Sequence, residues 1–286
     1  MTHLREDGLP RDPGAIVDRV RERYGRIAEG ETSGCCPGEA RAEDAERCTS
    51  QRVGYVESDL EQAPDGANLG LGCGAPIAQL DLQHGETVLD LGSGGGLDAF
   101  LAARRVGPTG RVIGVDMTPQ MIDRARRNAM ASGLDQVEFR RGRLEQLPVD
   151  DASVDAVTSN CVINLVPDKR RVFEEVHRVL RPGGRLVISD VVLDGRLPEL
   201  VQRDLLAYVG CVAGAMHRED YFEIVRAAGL DRVDLLRDDD FLATLDAEPP
   251  EFAGFLERSG VSRGELVGVV RSVTYRAIRP AQATTA

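Results

Sequence analysis

Short apolar runs alternate along the chain with longer stretches in which apolar residues recur at helical spacing. Residues 87–91, TVLDL, are one such run, which is typical of a buried strand, and residues 97–105 continue with a helical pattern. Similar runs predict strands at residues 111–117, 137–142, 154–160, 184–192, 230–236 and 267–279. Helical patterns lie at residues 16–27, 118–133, 168–180, 198–209 and 218–228. We expect Thr118 to cap its helix, and Pro182 with Gly183 to end the helix before the fifth strand.

Strands that alternate with helices in this order form a mostly parallel sheet with helices on both faces. We therefore predict an α/β fold of the doubly wound, Rossmann-like type, with seven strands of which the last is antiparallel. An N-terminal extension occupies residues 1–80, a ligand-binding core residues 81–192, and a C-terminal substrate-site region with the closing strands residues 193–286. In such sheets ligands bind beyond the carboxyl ends of the strands.

Composition narrows the class of protein. The 286-residue chain is 42% apolar, which is enough for a substantial core. Its formal net charge of −12 argues against a nucleic-acid partner, because a phosphate backbone requires a basic surface. Residues 1–14 lack an apolar signal core, and no run has the length of a membrane span, so we expect a cytoplasmic protein. There, six cysteines are expected to be thiols with chemistry rather than a disulfide framework.

The turn after the first strand, DLGSGGG, has the composition of a ligand-binding loop. Asp90 comes just before Gly92, Gly94 and Gly96, whose backbones can take positive φ and let a ligand approach closely. A dinucleotide fingerprint would require a third glycine where this chain has Leu97, so a pyrophosphate site is disfavoured. Taken alone, the turn is as consistent with a tight structural turn as with a binding site.

A second acid favours the binding interpretation. Asp116 ends the second predicted strand, where a carboxylate can accept hydrogen bonds from both hydroxyls of a ribose. Asp90, in turn, would attract a cationic amine or sulfonium. The two acids together predict an adenosine that carries a positive charge.

These motifs resemble the S-adenosylmethionine-dependent methyltransferases of the Rossmann-like class. The resemblance covers residues 85–192: it includes DLGSGGG, the acid Asp116 and the segment LRPGGRLVISD at residues 180–190. It implies S-adenosylmethionine as methyl donor. The candidate cofactor contacts are Asp90, Gly92, Gly94, Gly96, Asp116, Met117, Leu144, Glu145 and Asn160. Leu144 and Glu145 are candidates for the adenine, because Arg143 occupies the position at which many relatives have an acid.

Three of the cysteines fall where a substrate should bind. Cys161 directly follows the fourth predicted strand, while Cys73 and Cys211 lie in glycine-rich segments before and after the core. Their separations of 88 and 50 residues exclude a local zinc module, and we predict no metal cofactor. Each cysteine alone could be a small buried hydrophobe. Three together favour a shared site.

Two features of the chain indicate the chemistry of the methyl acceptor: the lack of an evident general base and the presence of three cysteines. Methyl transfer from a sulfonium usually needs a base to remove a proton from the nucleophile, and no convincing base occurs among only four histidines. Three thiolates, however, select a soft centre such as As(III), which retains a lone pair. That lone pair can attack a methyl group, and it carries no proton.

The segments around the three cysteines resemble those of the bacterial arsenite methyltransferases more closely. This resemblance runs from about residue 54 to residue 229 and is carried by NLGLGCGAP, SNCVINLVPDKRRVF and AYVGCVAGA. It implies stepwise methylation of thiol-bound trivalent arsenic to mono- and dimethylated products. It also implies that Cys73, Cys161 and Cys211 bind arsenic, and that thioredoxin or glutathione reopens a disulfide formed during turnover. A fourth, upstream cysteine assists in some members, for which Cys35, Cys36 and Cys48 are all candidates.

Two alternatives stay open from the sequence. In the first, the chain is another small-molecule C- or O-methyltransferase, and the cysteines are incidental. In the second, it is not an enzyme but a thiol trap that binds arsenic without methylating it. The intact DLGSGGG turn and Asp116 speak against the trap.

Overall fold

A single mixed β-sheet organises the computed structural model, which describes residues 13–31, 42–198, 212, 214–244, 256–257 and 260–281. The strands are β1 (Thr87–Leu91), β2 (Arg111–Asp116), β3 (Val137–Arg141), β4 (Val154–Asn160), β5 (Leu180–Leu193), β6 (Met216–His217), β7 (Asp231–Asp240) and β8 (Val270–Ile278). The α-helices of the described residues are α1 (Pro13–Ala28), α2 (Ala42–Arg52), α3 (Glu57–Gln62), α4 (Leu97–Val106), α5 (Pro119–Ser132), α6 (Lys169–Val179), α7 (Arg218–Ala227) and α8 (Arg263–Leu266).

The order of the strands across the sheet is β3-β2-β1-β4-β5-β8-β7, and the two-residue β6 pairs with β5. Strands β1 to β5 pair in parallel, whereas β8 runs antiparallel to both β5 and β7. The predicted fold class, a mostly parallel, doubly wound sheet whose last strand is antiparallel, is therefore confirmed. Chain order reverses between β1 and β4, and the cleft between their carboxyl ends is where ligands bind in sheets of this kind.

Each face of the sheet buries its own apolar cluster. Along β1, Val88 packs into one cluster with α4 and α5, and its neighbour Leu89 packs into the other with α6 and α7. Successive residues of a strand point to opposite faces of the sheet, and both side chains are completely buried because helices cover both faces. This explains why the strand shows a continuous apolar run rather than an alternating pattern.

Two local predictions are confirmed in position but differ in detail. The helix ends before Pro182, at Val179, but β5 begins earlier than predicted, at Leu180, and Pro182 and Gly183 lie where the register between β4 and β5 shifts. Thr118 is the N-cap residue of α5, but its side chain makes no capping hydrogen bond. Instead, the carboxylate of Asp116 accepts a hydrogen bond from the Thr118 N–H at 2.8 Å.

Several predictions fall outside the described residues. The helix predicted at residues 198–209 lies almost entirely outside them, as do Cys35, Cys36 and Cys211. Within the described ranges, no helix combines the length and the apolarity needed to cross a membrane.

Candidate functional site

A cleft opens at the carboxyl ends of β1, β2 and β4, at the edge of the sheet that the sequence analysis indicates. Of the nine residues predicted to contact a cofactor, eight line this cleft, and only Gly96 does not. A Cβ atom on Gly96 would lie 2.6 Å from the ring of Phe100 and 2.8 Å from that of Phe139. The structure therefore explains Gly96 by the close packing of α4 on the sheet.

The glycine loop is tied to β2 and has one open side. Its glycines Gly92 and Gly94 adopt φ angles of 67° and 51°, which L side chains rarely adopt. The N–H groups of Gly92 and Ser93 both donate to the carbonyl oxygen of Val115, at 2.7 and 3.1 Å. A Cβ on Gly92 would collide with Val162, but one on Gly94 would meet no atom closer than 3.9 Å. The space beside Gly94 can hold a ligand against the backbone.

Three buried carboxylates line the cleft: Asp90, Asp98 and Asp116, which are 3%, 7% and 9% exposed. Burial raises the pKa of Asp90 well above its ordinary value, and the nearby charges of Asp98 and Asp116 raise it further. Among the described groups, Asp90 Oδ2 has no hydrogen-bond partner. Because a buried oxygen without a partner is costly, a cationic ligand would stabilise this wall of the cleft.

Asp116 is held by the backbone around it. Its Oδ1 accepts the Thr118 N–H, and its Oδ2 accepts the Gly94 N–H at 3.1 Å. Burial raises the pKa of Asp116, although these backbone donors oppose the effect. Each oxygen retains a lone pair, so the carboxylate can still accept hydrogen bonds from a vicinal diol. The residues present fit the ribose of an adenosine.

An apolar wall stands beside this acid. Met117 and Leu144 line the cleft, and Glu145 lies next to them. The Arg143 guanidinium donates to Glu145 Oε1 at 2.7 Å, which raises the pKa of Arg143. Arg143, at the position where an acid was expected, is thus paired with the neighbouring acid. Met117 and Leu144 supply the apolar surface that a flat ring requires.

Cys73 and Cys161 lie in the same buried apolar cluster, 4% and 7% exposed. Cys161 lines the cleft and has a φ of 58°, which is rare for a residue with a side chain, and its N–H donates to the Ser189 carbonyl oxygen at 2.8 Å. Val212, which directly follows Cys211 in the chain, is buried in the same cluster. By contrast, Cys48 is exposed on α2.

The glycines beside Cys73 let its loop approach β4 and β5 closely. A Cβ on Gly72 would lie 2.6 Å from the amide nitrogen of Asn160, and one on Gly74 would collide with Ser189. Asn160 Oδ1 accepts the N–H groups of Cys73 and Gly74 at 3.0 and 3.3 Å. Only residues without a side chain on both sides of the cysteine permit this arrangement.

The structure also adds residues to the cleft that sequence reasoning missed. Tyr55 and Asp98 lie in its wall, as do Val17, Val20 and Tyr24 of α1. The helical pattern predicted α1 but gave no indication of the surface it covers. In the described part of the chain no histidine or lysine lines the cleft, and its acidic side chains are those of Asp90, Asp98, Asp116 and Glu145.

Comparison with known proteins agrees with this geometry. Residues 82–229 match the family described as a methyltransferase domain. The chain is 48% identical to the arsenite methyltransferase of Halobacterium salinarum, over 83% of this chain and 64% of the relative. It is 36% identical to the arsenite methyltransferase of Aquipseudomonas alcaligenes, over 77% of this chain and 64% of the relative. It thus spans a little under two thirds of the length of these two curated relatives.

A solved structure resembles the chain as well. CrArsM, an arsenic(III) S-adenosylmethionine methyltransferase from Chlamydomonas reinhardtii, is 33% identical to it and superposes with a TM-score of 0.58. The match covers 83% of this chain and 74% of that one. It therefore extends beyond the core and includes segments on both sides of it.

Proposed function

The chain belongs to the methyltransferase domain family and, within it, is related to the arsenite methyltransferases; from this premise we propose that it methylates trivalent arsenic. The methyl donor is S-adenosylmethionine, and the acceptor is arsenic bound to thiols, which yields mono- and dimethylated arsenicals. The observation that carries this proposal is the burial of Cys73 and Cys161 in one apolar cluster beside a cleft lined with carboxylates.

The residues of the cleft suit the donor at both of its ends. S-adenosylmethionine supplies a methyl group activated by a positively charged sulfur. Asp116 would hold the ribose, and the apolar side chains of Met117 and Leu144 would cover the adenine. Asp90, with its unpartnered oxygen, would face the cationic end and gain a partner for a buried carboxylate.

The thiols bind and orient the acceptor. Cys73, Cys161 and Cys211 would hold As(III) through three As–S bonds, and the complex of one trivalent ion with three thiolates has no net charge. A neutral complex suits the apolar cluster around Cys73 and Cys161, where an ion would be destabilised. The arsenic lone pair is then available to form the As–C bond.

Arsenic must regain two electrons after each transfer. Its lone pair forms the new bond, so arsenic passes from the trivalent to the pentavalent state. A cysteine thiol can return it to the trivalent state by attacking the sulfur of one As–S bond: the disulfide forms, the As–S bond breaks and leaves its electron pair on arsenic, and one proton is released. Thioredoxin or glutathione then reduces the disulfide, and we expect the cycle to run in the cytoplasm, where such reductants keep thiols reduced. Cys35, Cys36 and Cys48 remain candidates for the additional reducing thiol.

The experiment that tests the proposal is speciation of arsenic after incubation of the purified protein with As(III), S-adenosylmethionine and a thiol reductant. We expect methylated arsenicals from the natural sequence and none from Cys161→Ser or Cys73→Ser. In a single-turnover format Cys48→Ser should still transfer the first methyl group, because its thiol is exposed and does not belong to the cluster. If Cys48 is the reducing thiol, Cys48→Ser should lower only the rate of multiple turnover.

Two results would contradict the proposal. Arsenic binding that is indifferent to S-adenosylmethionine, with no methylated product, would indicate a thiol trap. Methylation of a carbon or oxygen acceptor that tolerates Cys161→Ser would indicate another small-molecule methyltransferase.

A further inference from the structure

A hydrogen-bonded pair of buried side chains, Tyr55 and Asp98, lies in the wall of the cleft. They are 43 positions apart in the chain, and the Tyr55 hydroxyl donates to Asp98 Oδ1 at 2.7 Å. The pair contacts the side chain of Asn160, whose Nδ2 donates to the Tyr55 hydroxyl at 2.9 Å and lies 3.5 Å from Asp98 Oδ2. The tyrosine and the carboxylate therefore determine which way the amide group of Asn160 points.

The orientation of that amide matters for Cys73. Asn160 Oδ1 accepts the N–H groups of Cys73 and Gly74, while Nδ2 donates to the Gly74 carbonyl oxygen at 2.7 Å. A flipped amide would direct N–H groups at N–H groups and lose all three contacts with the loop. Since the Tyr55 hydroxyl gives its hydrogen to Asp98, its oxygen can only accept, and it requires Nδ2 on its side.

We propose that Tyr55 and Asp98 are positioning residues that fix Asn160 and, through it, hold the Cys73 loop against the cofactor cleft, so that occupancy of the cleft and opening of the loop are coupled. The coupling follows because the residues that hold the Cys73 loop also line the cleft. These residues are Tyr55, Asp98, Asn160 and Gly72. A ligand that binds only the closed arrangement disfavours local opening, in proportion to its occupancy. The arsenic part of this inference rests on the proposed function, but the coupling itself does not.

The charges around Asp98 are compatible with this role near neutral pH. Burial raises the pKa of Asp98 to about 6, while the hydrogen bonds from Tyr55 and Asn160 and the charge of Arg105 oppose the rise. Two other carboxylates interact with it: the charge of Asp59 raises the pKa of Asp98, and the charge of Asp98 raises the pKa of Asp90. Arg105 itself donates to Asp59 Oδ2 at 2.8 Å, so it neutralises one of these neighbours.

A second tyrosine–aspartate pair provides a matched control. The Tyr221 hydroxyl donates to Asp190 Oδ2 at 3.1 Å, both groups are completely buried, and neither lines the cleft. Tyr55→Phe and Tyr221→Phe each remove one hydroxyl from a buried carboxylate. Any effect on Cys73 that is specific to Tyr55→Phe cannot be ascribed to the loss of a buried hydrogen bond in general.

The test measures alkylation of Cys73 by iodoacetamide, quantified by peptide mass spectrometry, with and without S-adenosylhomocysteine as the probe of the cleft. In the natural sequence we expect slow alkylation that the probe slows by threefold or more. Tyr55→Phe should react about three to ten times faster, the range set by one or two lost hydrogen bonds, and should lose most of the protection. Tyr221→Phe should keep both the natural rate and the protection.

Asp98→Asn serves as a second variant if Tyr55→Phe does not fold. Its amide oxygen can still accept the tyrosine hydrogen without the negative charge, so we expect an intermediate rate. Unchanged protection in Tyr55→Phe, or equal effects of Tyr55→Phe and Tyr221→Phe, would overturn the inference.

Steady-state kinetics separate this inference from the proposed function. Tyr55→Phe should raise KM for As(III) severalfold more than KM for S-adenosylmethionine. If the natural sequence yields no methylated arsenic but Cys73 protection is still lost in Tyr55→Phe, the proposed function fails and the positioning pair stands. If arsenic is methylated and Tyr55→Phe leaves protection unchanged, the pair fails alone.

Discussion

The carbonyl oxygen of Ala67 lies so close to Gly95 that a Cβ atom added to the glycine would be only 2.7 Å away from it. The carbonyl oxygen of Gly66 would be 3.1 Å from the same atom. Both are backbone atoms, which cannot turn aside as a side chain can. The segment before the core is thus in direct contact with the glycine loop.

The first prediction is that Gly95→Ala displaces this segment and damages the cleft. We expect a loss of about 1–3 kcal/mol in the free energy of unfolding, typical of overpacking, and at least about tenfold weaker binding of S-adenosylhomocysteine. Urea denaturation and titration calorimetry measure the two. Gly264→Ala is the control, because its nearest neighbour to a new Cβ lies 3.9 Å away. Equal effects of the two substitutions would refute the steric explanation.

The second prediction concerns Asp90 and separates binding from stability. Asp90→Asn replaces a buried carboxyl group whose ionisation burial opposes and whose Oδ2 has no partner among the described groups, so the free energy of unfolding should stay constant or rise at neutral pH. Binding of S-adenosylmethionine should weaken by about tenfold or more, because the cationic ligand loses a charged acceptor. Thermal denaturation measures the stability and calorimetry the affinity. A fall in both would contradict this prediction.

The sequence predicted the sheet well because its signals are local. Residues 154–160 were predicted as a strand, and β4 has these bounds. The glycine turn and Asp116 were likewise found from a few consecutive residues, and the cleft lies where they indicated. Such features need only the composition and period of a short segment.

What the sequence could not give are contacts between distant segments. Tyr55 belongs to no motif, and its meeting with Asp98 and Asn160 depends on how α3, α4 and β4 pack together. The position of α1 on the cleft is a similar case, since an amphipathic pattern does not name the surface that it covers. The joint site of Cys73, Cys161 and Cys211 stays a prediction, because Cys211 lies outside the described residues.

The third prediction is a fall in stability as pH rises, caused in part by Asp190. Burial raises the pKa of Asp190 from its ordinary value of 3.8 to about 7. Between these values the folded protein holds a proton that the unfolded chain has lost, so raising the pH through this range destabilises the fold. The contribution is on the order of 4 kcal/mol, is fully present below about pH 4 and is lost above about pH 7. Asp90, Asp98 and Asp116 shift in the same direction.

Urea denaturation at pH 5 and pH 8 measures this effect. The free energy of unfolding of the natural sequence should be lower at pH 8, and Asp190→Asn should reduce the difference without abolishing it. Asp231→Asn, at an exposed position, should leave the difference as it is. A difference that Asp190→Asn does not change would show that other groups cause it.

The fourth prediction concerns Arg124, which ties α1 to the cleft. Its guanidinium donates to the Ala28 carbonyl oxygen at the end of α1 at 3.0 Å, and to the Gly66 carbonyl oxygen at 2.8 Å. The second acceptor lies in the segment that packs against Gly95. One side chain on α5 therefore holds both α1 and this segment in place. Arg124→Ala should release them together.

Hydrogen exchange and binding measure that release. In Arg124→Ala we expect the amides of α1 to exchange about tenfold faster, since two hydrogen bonds to a charged donor are lost, while exchange in β1 and β4 stays unchanged. S-adenosylhomocysteine should bind several times more weakly, because Val17, Val20 and Tyr24 of α1 line the cleft. Arg127→Ala, at an exposed position of the same helix, is the control and should have neither effect. If both substitutions left exchange in α1 unchanged, α1 would owe its place to apolar packing alone.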